Sequence, residues 1–325
     1  MEDQIFQQRT DLTELRESVF AIRNEIRKVI VGQDEMVKLI LAALLADGHV
    51  LLEGVPGVAK TLTAKLVAKS VDAGFSRIQF TPDLMPSDVL GTPVFNPRDA
   101  VFEFKKGPLF SNIILVDEIN RAPAKTQSAL LEVMEEKQIS VDGKTYSMNQ
   151  PFMVLATQNP VEQEGTYRLP EAQLDRFIFK IVIPYPSESE ELQILKQLHQ
   201  LGNSKAEDSI LKVLNGDRIQ QLRAQIKTIV MEDHLLEFVA KLVNNTRNHK
   251  SIYLGASPRA SIAIMNASKS IAAMSGRDFV IPDDIREVAA PVLRHRIMLT
   301  PDKEMEGVAE DEVIQQIIES MDIPR

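Results

Sequence analysis

Residues 54–61 read Gly-Val-Pro-Gly-Val-Ala-Lys-Thr and follow the apolar run His49-Val50-Leu51-Leu52. A glycine loop between a strand and a helix aims several backbone N–H groups, and the helix N-terminus, at one point. That geometry suits a dense anion such as a nucleoside triphosphate. Gly54 and Gly57 give the backbone the freedom such a wrap needs, and Pro56 leaves less ordering to be done on binding. The cradle consists of Gly54, Val55, Pro56, Gly57, Val58, Ala59, Lys60, Thr61 and Leu62. In it Lys60 is the point charge for the β- and γ-phosphates of ATP or ADP, and the Thr61 hydroxyl is a ligand for Mg²⁺. Ala59 stands where the pattern G-x-x-x-x-G-K-[ST] has a second loop glycine. Alanine fits there if the residue already has helical φ and ψ.

A second set of chemical groups lies at the ends of apolar runs. Ile113-Ile114-Leu115-Val116 leads into Asp117-Glu118. A continuous apolar run reads as a buried parallel strand, and ligands of open α/β sheets sit at the carboxyl ends of such strands. Asp117 is placed to organise Mg²⁺ and Glu118 to act as general base toward water. Phe152 to Thr157 is a third strand and ends at Gln158-Asn159-Pro160. Asn159 there suits a γ-phosphate or the lytic water, though Asn before Pro is also a plain turn signal. Arg176 follows a short helix and precedes a strand from Ile178 to Ile183. It reads either as a cation projecting from the domain or as an ion-pair partner of Asp175 or Glu171. Arg259 falls in the first turn of a helix begun by Ser257 as N-cap and Pro258 at N1.

Together these residues resemble the AAA+ ATPases, and within them the MoxR family. The resemblance runs over nearly the whole chain: Ile30-Val31-Gly32-Gln33, GVPGVAKT, LVDEINRAP (115–123), ATQNP (156–160), EGTYRLPEAQLDRF (164–177) and GASPRA (255–260). Ala59 is a familiar variant in that family. The resemblance implies an α/β fold: an αβα P-loop core with a five-stranded parallel sheet of order 5-1-4-3-2, followed by a small all-α lid. It also implies a ring-shaped homo-oligomer, usually a hexamer. The expected activity is Mg²⁺-dependent ATP hydrolysis driving chaperone-like remodelling, often of partners with von Willebrand factor A (VWA) domains, in protein maturation or metal insertion. By the same resemblance Asn159 matches sensor 1 and Arg176 an arginine finger acting on the neighbouring subunit. Arg259 matches sensor 2, reaching the γ-phosphate of its own subunit. On hydrolysis the γ-phosphate contacts vanish, and lid and neighbour are then free to rotate. Two other readings of the motifs stand beside this one: a nucleotide-dependent scaffold or switch whose hydrolysis is incidental, and a magnesium-chelatase-like motor subunit.

The elements that must position these groups can be read from pattern. Residues 11–30 read as an amphipathic helix through Leu12, Leu15, Val19, Ile22, Ile26 and Val29, with Asp11 and Glu14 as a capping box. An apolar helix follows over 34–46. Alternating aromatics at 91–95 and 101–104 predict a β-hairpin, and 138–141 with 145–148 a second, turning at Asp142-Gly143. In the family the corresponding insertions point toward the ring's opening. Sheet patterns stop near Tyr185, which divides the chain into a core, 1–186, and a lid, 187–325, with helices expected at about 187–201, 217–226, 232–249, 257–275 and 282–295.

Composition narrows the function classes. The 325 residues carry 37 Lys and Arg against 46 Asp and Glu, a formal charge of −9. That balance argues against general nucleic-acid binding, which needs clustered cations to neutralise phosphates. With no cysteine, disulfides and thiolate–metal sites are excluded. No apolar run approaches a bilayer span, and the acidic N-terminus is unlike a secretory signal, so a cytoplasmic protein is expected. The five histidines are scattered without metal-ligand spacing.

Overall fold

The computed structural model describes residues 10–141, 143–159, 167, 169–201 and 210–322. The turn residue Asp142 and most of the segment between Asn159 and Leu169 lie outside the described residues. In chain order the elements begin with α1 (Thr13–Arg27), α2 (Asp34–Leu45), β1 (His49–Gly54), α3 (Lys60–Ser70), β2 (Phe75–Gln79) and α4 (Pro86–Leu90). The hairpin β3 (Gly91–Asn96) and β4 (Val101–Lys106) comes next, then β5 (Ile113–Asp117) and α5 (Ala124–Glu136). A second hairpin, β6 (Gln138–Val141) and β7 (Lys144–Ser147), precedes β8 (Met153–Gln158), α6 (Glu171–Leu174) and β9 (Phe177–Ile183). The rest comprises α7 (Glu188–Leu201), α8 (Gly216–Lys227), α9 (Asp233–Asn248), β10 (Ile252–Leu254), α10 (Pro258–Met274), α11 (Pro282–Leu293), β11 (Met298–Leu299), α12 (Pro301–Met305) and α13 (Glu310–Glu319).

Five strands form one parallel sheet in the order β2-β5-β8-β1-β9. Counted as core strands from the other edge this is 5-1-4-3-2, the order the resemblance implied. Successive side chains of a strand point to opposite faces. Val50 and Leu52 accordingly join one apolar cluster with α1, α2 and α3, while Leu51, Ile114 and Val154 join another beneath α5 and β6. Pairing is nearly level at the carboxyl edge: Glu53 stands beside Gln158 and Gln79 beside Asp117. At the amino edge His49 stands beside Phe177, and at the carboxyl edge Gly54 beside Ile183.

Both expected hairpins are present. Phe95 and Phe102 lie 5.3 Å apart on the first, half or more exposed, while Phe104 stacks on Tyr146 of the second at 4.7 Å. The first helix starts differently from expectation. Asp11 accepts from the Thr13 N–H, and Glu14 points away to pair with Arg218 of α8, so no capping box forms. A long-range cation outcompetes the local cap. The lid is helical, as the resemblance implied; among the described residues it also carries one short antiparallel ribbon, β10–β11, and an isolated bridge between Val230 and Phe279. The ribbon strands have only three and two residues, too short for periodicity to reveal.

Lid and core are not separate apolar cores. Ile219, Leu222, Ile226 and Ile264 belong to the same buried cluster as Leu15, Ile40 and Leu44. Arg223 of α8 donates from Nε and Nη2 to the Leu44 carbonyl, at 2.9 and 2.7 Å, and so caps the C-terminus of α2. His49 is a buried structural histidine between Met134 and Val154, its pKa pushed down to about 4 by burial.

Candidate active site

The cradle spans the end of β1 and the start of α3. Gly57 has φ +90, which excludes ordinary side chains, and a Cβ on Gly54 would meet the Ile183 carbonyl at 3.0 Å. Ala59 has φ 60 and ψ 20, left-handed and not helical as expected. The position is therefore one that glycine suits, and alanine there costs about 1–2 kcal/mol. We expect Ala59→Gly to stabilise the nucleotide-free protein by about 0.5–1 kcal/mol, read from urea unfolding. A destabilised glycine variant would refute the left-handed assignment.

Lys60 opens α3, and its Nζ donates to the Gly54 carbonyl at 2.5 Å. Burial lowers its pKa, and Asp117, Glu118 and Glu53 oppose that shift. A cavity of about 340 Å³ opens beside it, lined by Pro56, Gly57, Ala59, Lys60, Thr61 and Leu62 from the loop and start of α3, by Asp117 at the end of β5 with Glu118 after it, and by Asn159 just past β8. Of the remaining cradle residues, Val58 is buried in the core with Val55 packed against it, and Gly54 contributes its backbone.

Asp117 is 7% exposed. Its Oδ1 accepts from Thr157 Oγ1 at 3.2 Å and its Oδ2 from Arg77 Nε at 2.6 Å. The Thr157 hydroxyl also accepts the Glu118 N–H at 3.0 Å, so one side chain fixes both acids. Glu118 Oε2 accepts from Gln79 Nε2 at 2.8 Å and pairs with Arg121 Nε at 3.2 Å. Arg77, Gln79 and Thr157 were not singled out from sequence. Gln79 and Thr157 sit at the carboxyl ends of β2 and β8 and Arg77 two residues earlier in β2, and only the strand order brings them to the acids.

The donors suit Mg²⁺. The Thr61 hydroxyl and the buried Asp117 carboxylate are hard oxygens facing one cavity. Among the described residues no group of three or more His, Cys, Asp or Glu could hold a metal ion alone. That matches a cation taken by one or two carboxylates plus substrate phosphates.

Arg176 and Arg259 lie elsewhere. Arg176 enters at the amino edge of β9, and the six steps from Phe177 to Ile183 put it about 20 Å from the cradle. It pairs with Glu135 of α5 at 2.7 Å, not with Asp175 or Glu171. Arg259 Nη2 bonds the same carboxylate at 2.7 Å. The start of α10 is held there because Ser257 Oγ donates to Asp175 at 2.8 Å. The own-subunit reach expected for Arg259 does not fit this placement, since its helix is tied to the edge of the sheet opposite the cradle.

A second cavity of about 330 Å³ lies between Gly32, Gln33 and Met36, the end of β9 at Ile181–Pro184, and Glu287 and Arg294 of the lid region. It adjoins the cradle, because Gly54 pairs with Ile183.

Fold and site thus define a P-loop nucleotide-binding protein of the AAA class. The sequence model of the ATPase family associated with various cellular activities (AAA) matches residues 49–179, and that of the AAA lid domain matches 244–317. Chaperone MoxR1 of Mycobacterium tuberculosis is 45% identical over 93% of this chain and 81% of its own. The uncharacterized protein YeaC of Bacillus subtilis is 47% identical over 92% of each chain. A solved structure from Cytophaga hutchinsonii, provisionally named an ATPase, superposes with a TM-score of 0.85 at 42% identity, covering 97% of this chain and 99% of that one. The chain belongs to the MoxR family of AAA+ ATPases.

Proposed function

We propose that the protein hydrolyses ATP in a Mg²⁺-dependent reaction completed between copies of the chain. One observation carries this reading. The phosphate cradle is at one edge of the sheet, and the two arginines suited to γ-phosphoryl oxygens are at the other. A chain so built completes its site only against a neighbour, and a closed ring, hexameric in the family, lets every copy do so. The base of ATP enters the cleft at Gly32, Gln33, Pro184 and Arg294. Lys60 leaves the Gly54 carbonyl for the phosphates. Thr61 and Asp117 hold Mg²⁺, which when bound offsets charge on the phosphate oxygens. Glu118 breaks from Gln79 to take a proton from water, and Asn159 orients that water. Arg176 and Arg259 of a neighbour meet the γ-phosphoryl oxygens. The unit comprises a core, 1–186, and a lid, 187–325. It acts as a chaperone-like remodeller of a VWA-domain partner or its client in the cytoplasm, with the exposed Phe95 and Phe102 hairpin as the contacting surface. No helix of the described residues is long and apolar enough to cross a membrane.

One observation favours a switch reading: Glu118 is tied to Gln79 and Arg121, away from the work of a base. Turnover per chain against chain concentration separates the two. The ring reading expects a rate that rises as copies assemble. A rate near zero at every concentration, with ATP bound, supports the switch. In the assembled protein Glu118→Gln should keep ATP affinity and lose about 10²–10⁴-fold in turnover, whereas Lys60→Ala should lose binding. Normal turnover in Glu118→Gln would remove Glu118 as the base.

A further inference from the structure

We propose that Glu135 is a positioning residue that brackets Arg176 and Arg259, so that both guanidiniums meet a neighbour's terminal phosphate as one pair. The proposal rests on the reading that these arginines act between copies. Arg176 gives Nε and Nη2 to Glu135 Oε2, at 2.8 and 2.7 Å, and Arg259 gives Nη2 to Oε1 at 2.7 Å. Two cations from separate segments would repel each other unless a carboxylate stood between them. Each guanidinium has five N–H donors, so both keep donors for a phosphate after binding Glu135. The carboxylate stays ionised near neutrality, because the hydrogen bond from Arg176 holds its pKa below the ordinary range.

Local preference gives no reason for this acid. Glu135 is the penultimate residue of α5, where the exposed carbonyls disfavour negative charge, and the last turn holds no basic residue. A break of a local rule is the signature of a site under functional demand. The backbones on either side are secured without Glu135. Asp175, next to Arg176, accepts from Ser257, two residues before Arg259, and from Arg296 at 2.6 Å. Glu135 therefore aims side chains and does not hold the segments in place.

The test mixes two inactive proteins. Arg176→Ala copies keep their cradle, and Lys60→Ala copies keep their arginines, so mixed assemblies should recover Mg²⁺-dependent ATP turnover. Adding Glu135→Gln to the Lys60→Ala donor should cut the recovered kcat about tenfold or more, as misplaced catalytic groups do. KM for ATP and the donor's melting temperature should be unchanged. No recovery in the first mixture would overturn the reading of action between copies, and the proposal with it. Recovery undiminished by Glu135→Gln would overturn the proposal alone. So would a loss accompanied by a lower melting temperature or weaker assembly, because that marks a structural role.

Discussion

Arg176→Ala should lower turnover of the assembled protein by about 10³–10⁵-fold, the range an arginine finger contributes in GTPases. ATP affinity should change little. The asymmetry follows from placement. Arg176 precedes Phe177 at the amino edge of β9, level with His49, and the residues that grip phosphate start at Gly54, at the other end of the same strand pair. Nothing in the chain's own cavity is lost with Arg176. What is lost, on the proposed arrangement, is the cation presented to the next copy. Arg176→Lys should not restore the rate, because a compact ammonium lacks the planar fork that meets two oxygens at once. The measurement is steady-state turnover across chain concentration, with nucleotide affinity determined separately. A fall in affinity matching the fall in rate would show that Arg176 serves its own subunit, against the geometry. A rate within threefold of wild type, roughly 0.6 kcal/mol, would remove it from the chemistry.

The second large effect is on stability. Arg296→Ala should cost about 3–5 kcal/mol, as breaking a buried ion pair does. Arg296 is 8% exposed, and burial alone would lower its pKa, opposed chiefly by Asp175. Its guanidinium donates to the Asp175 carboxylate and to the carbonyls of Asp175, Phe177, Ile178 and Val292. Alanine strips the Asp175, Ile178 and Val292 carbonyls of this donor, leaves the Phe177 carbonyl with only His295 Nε2 as side-chain donor, and leaves the Asp175 carboxylate with Ser257 as its remaining side-chain donor among the described residues. Urea unfolding gives the number. The double variant Arg296→Met with Asp175→Asn should lose less than Arg296→Ala, since no charge is then stranded. A loss below about 1 kcal/mol for Arg296→Ala would mean that water reaches this junction.

Features carried by one segment were legible in the sequence. The apolar runs ending at Gly54, Asp117 and Asn159 declared the strands and the edge where chemistry gathers. Ser257-Pro258 declared a helix start, and the Ser257 side chain does accept from the Arg259 N–H. Features set by strand order or by packing between distant segments were not legible. Gln79 and Arg77 belong to a strand with no motif, and become partners of the acids because β2 pairs with β5. Glu135 looks like one more surface acid on α5 until Arg176 and Arg259 converge on it. Ala59 is left-handed because the loop must turn there, which identity alone does not show. The side to which Arg259 is held depends on Asp175 and Ser257 meeting across 82 residues of chain.

The single buried cluster shared by α1, α2 and the lid helices has a mechanical consequence. Bending the lid on its own core would open apolar surface to water, at about 25 cal/mol per Å², and would also pull Arg223 from α2. Each chain is therefore stiff along its length. In the assembly proposed above, the compliant hinge would be the seam where one copy's arginines face the next copy's nucleotide. On that proposal, loss of a phosphate there would loosen neighbours as whole bodies, and a captive partner would feel displacement between copies and little flexing within any one of them.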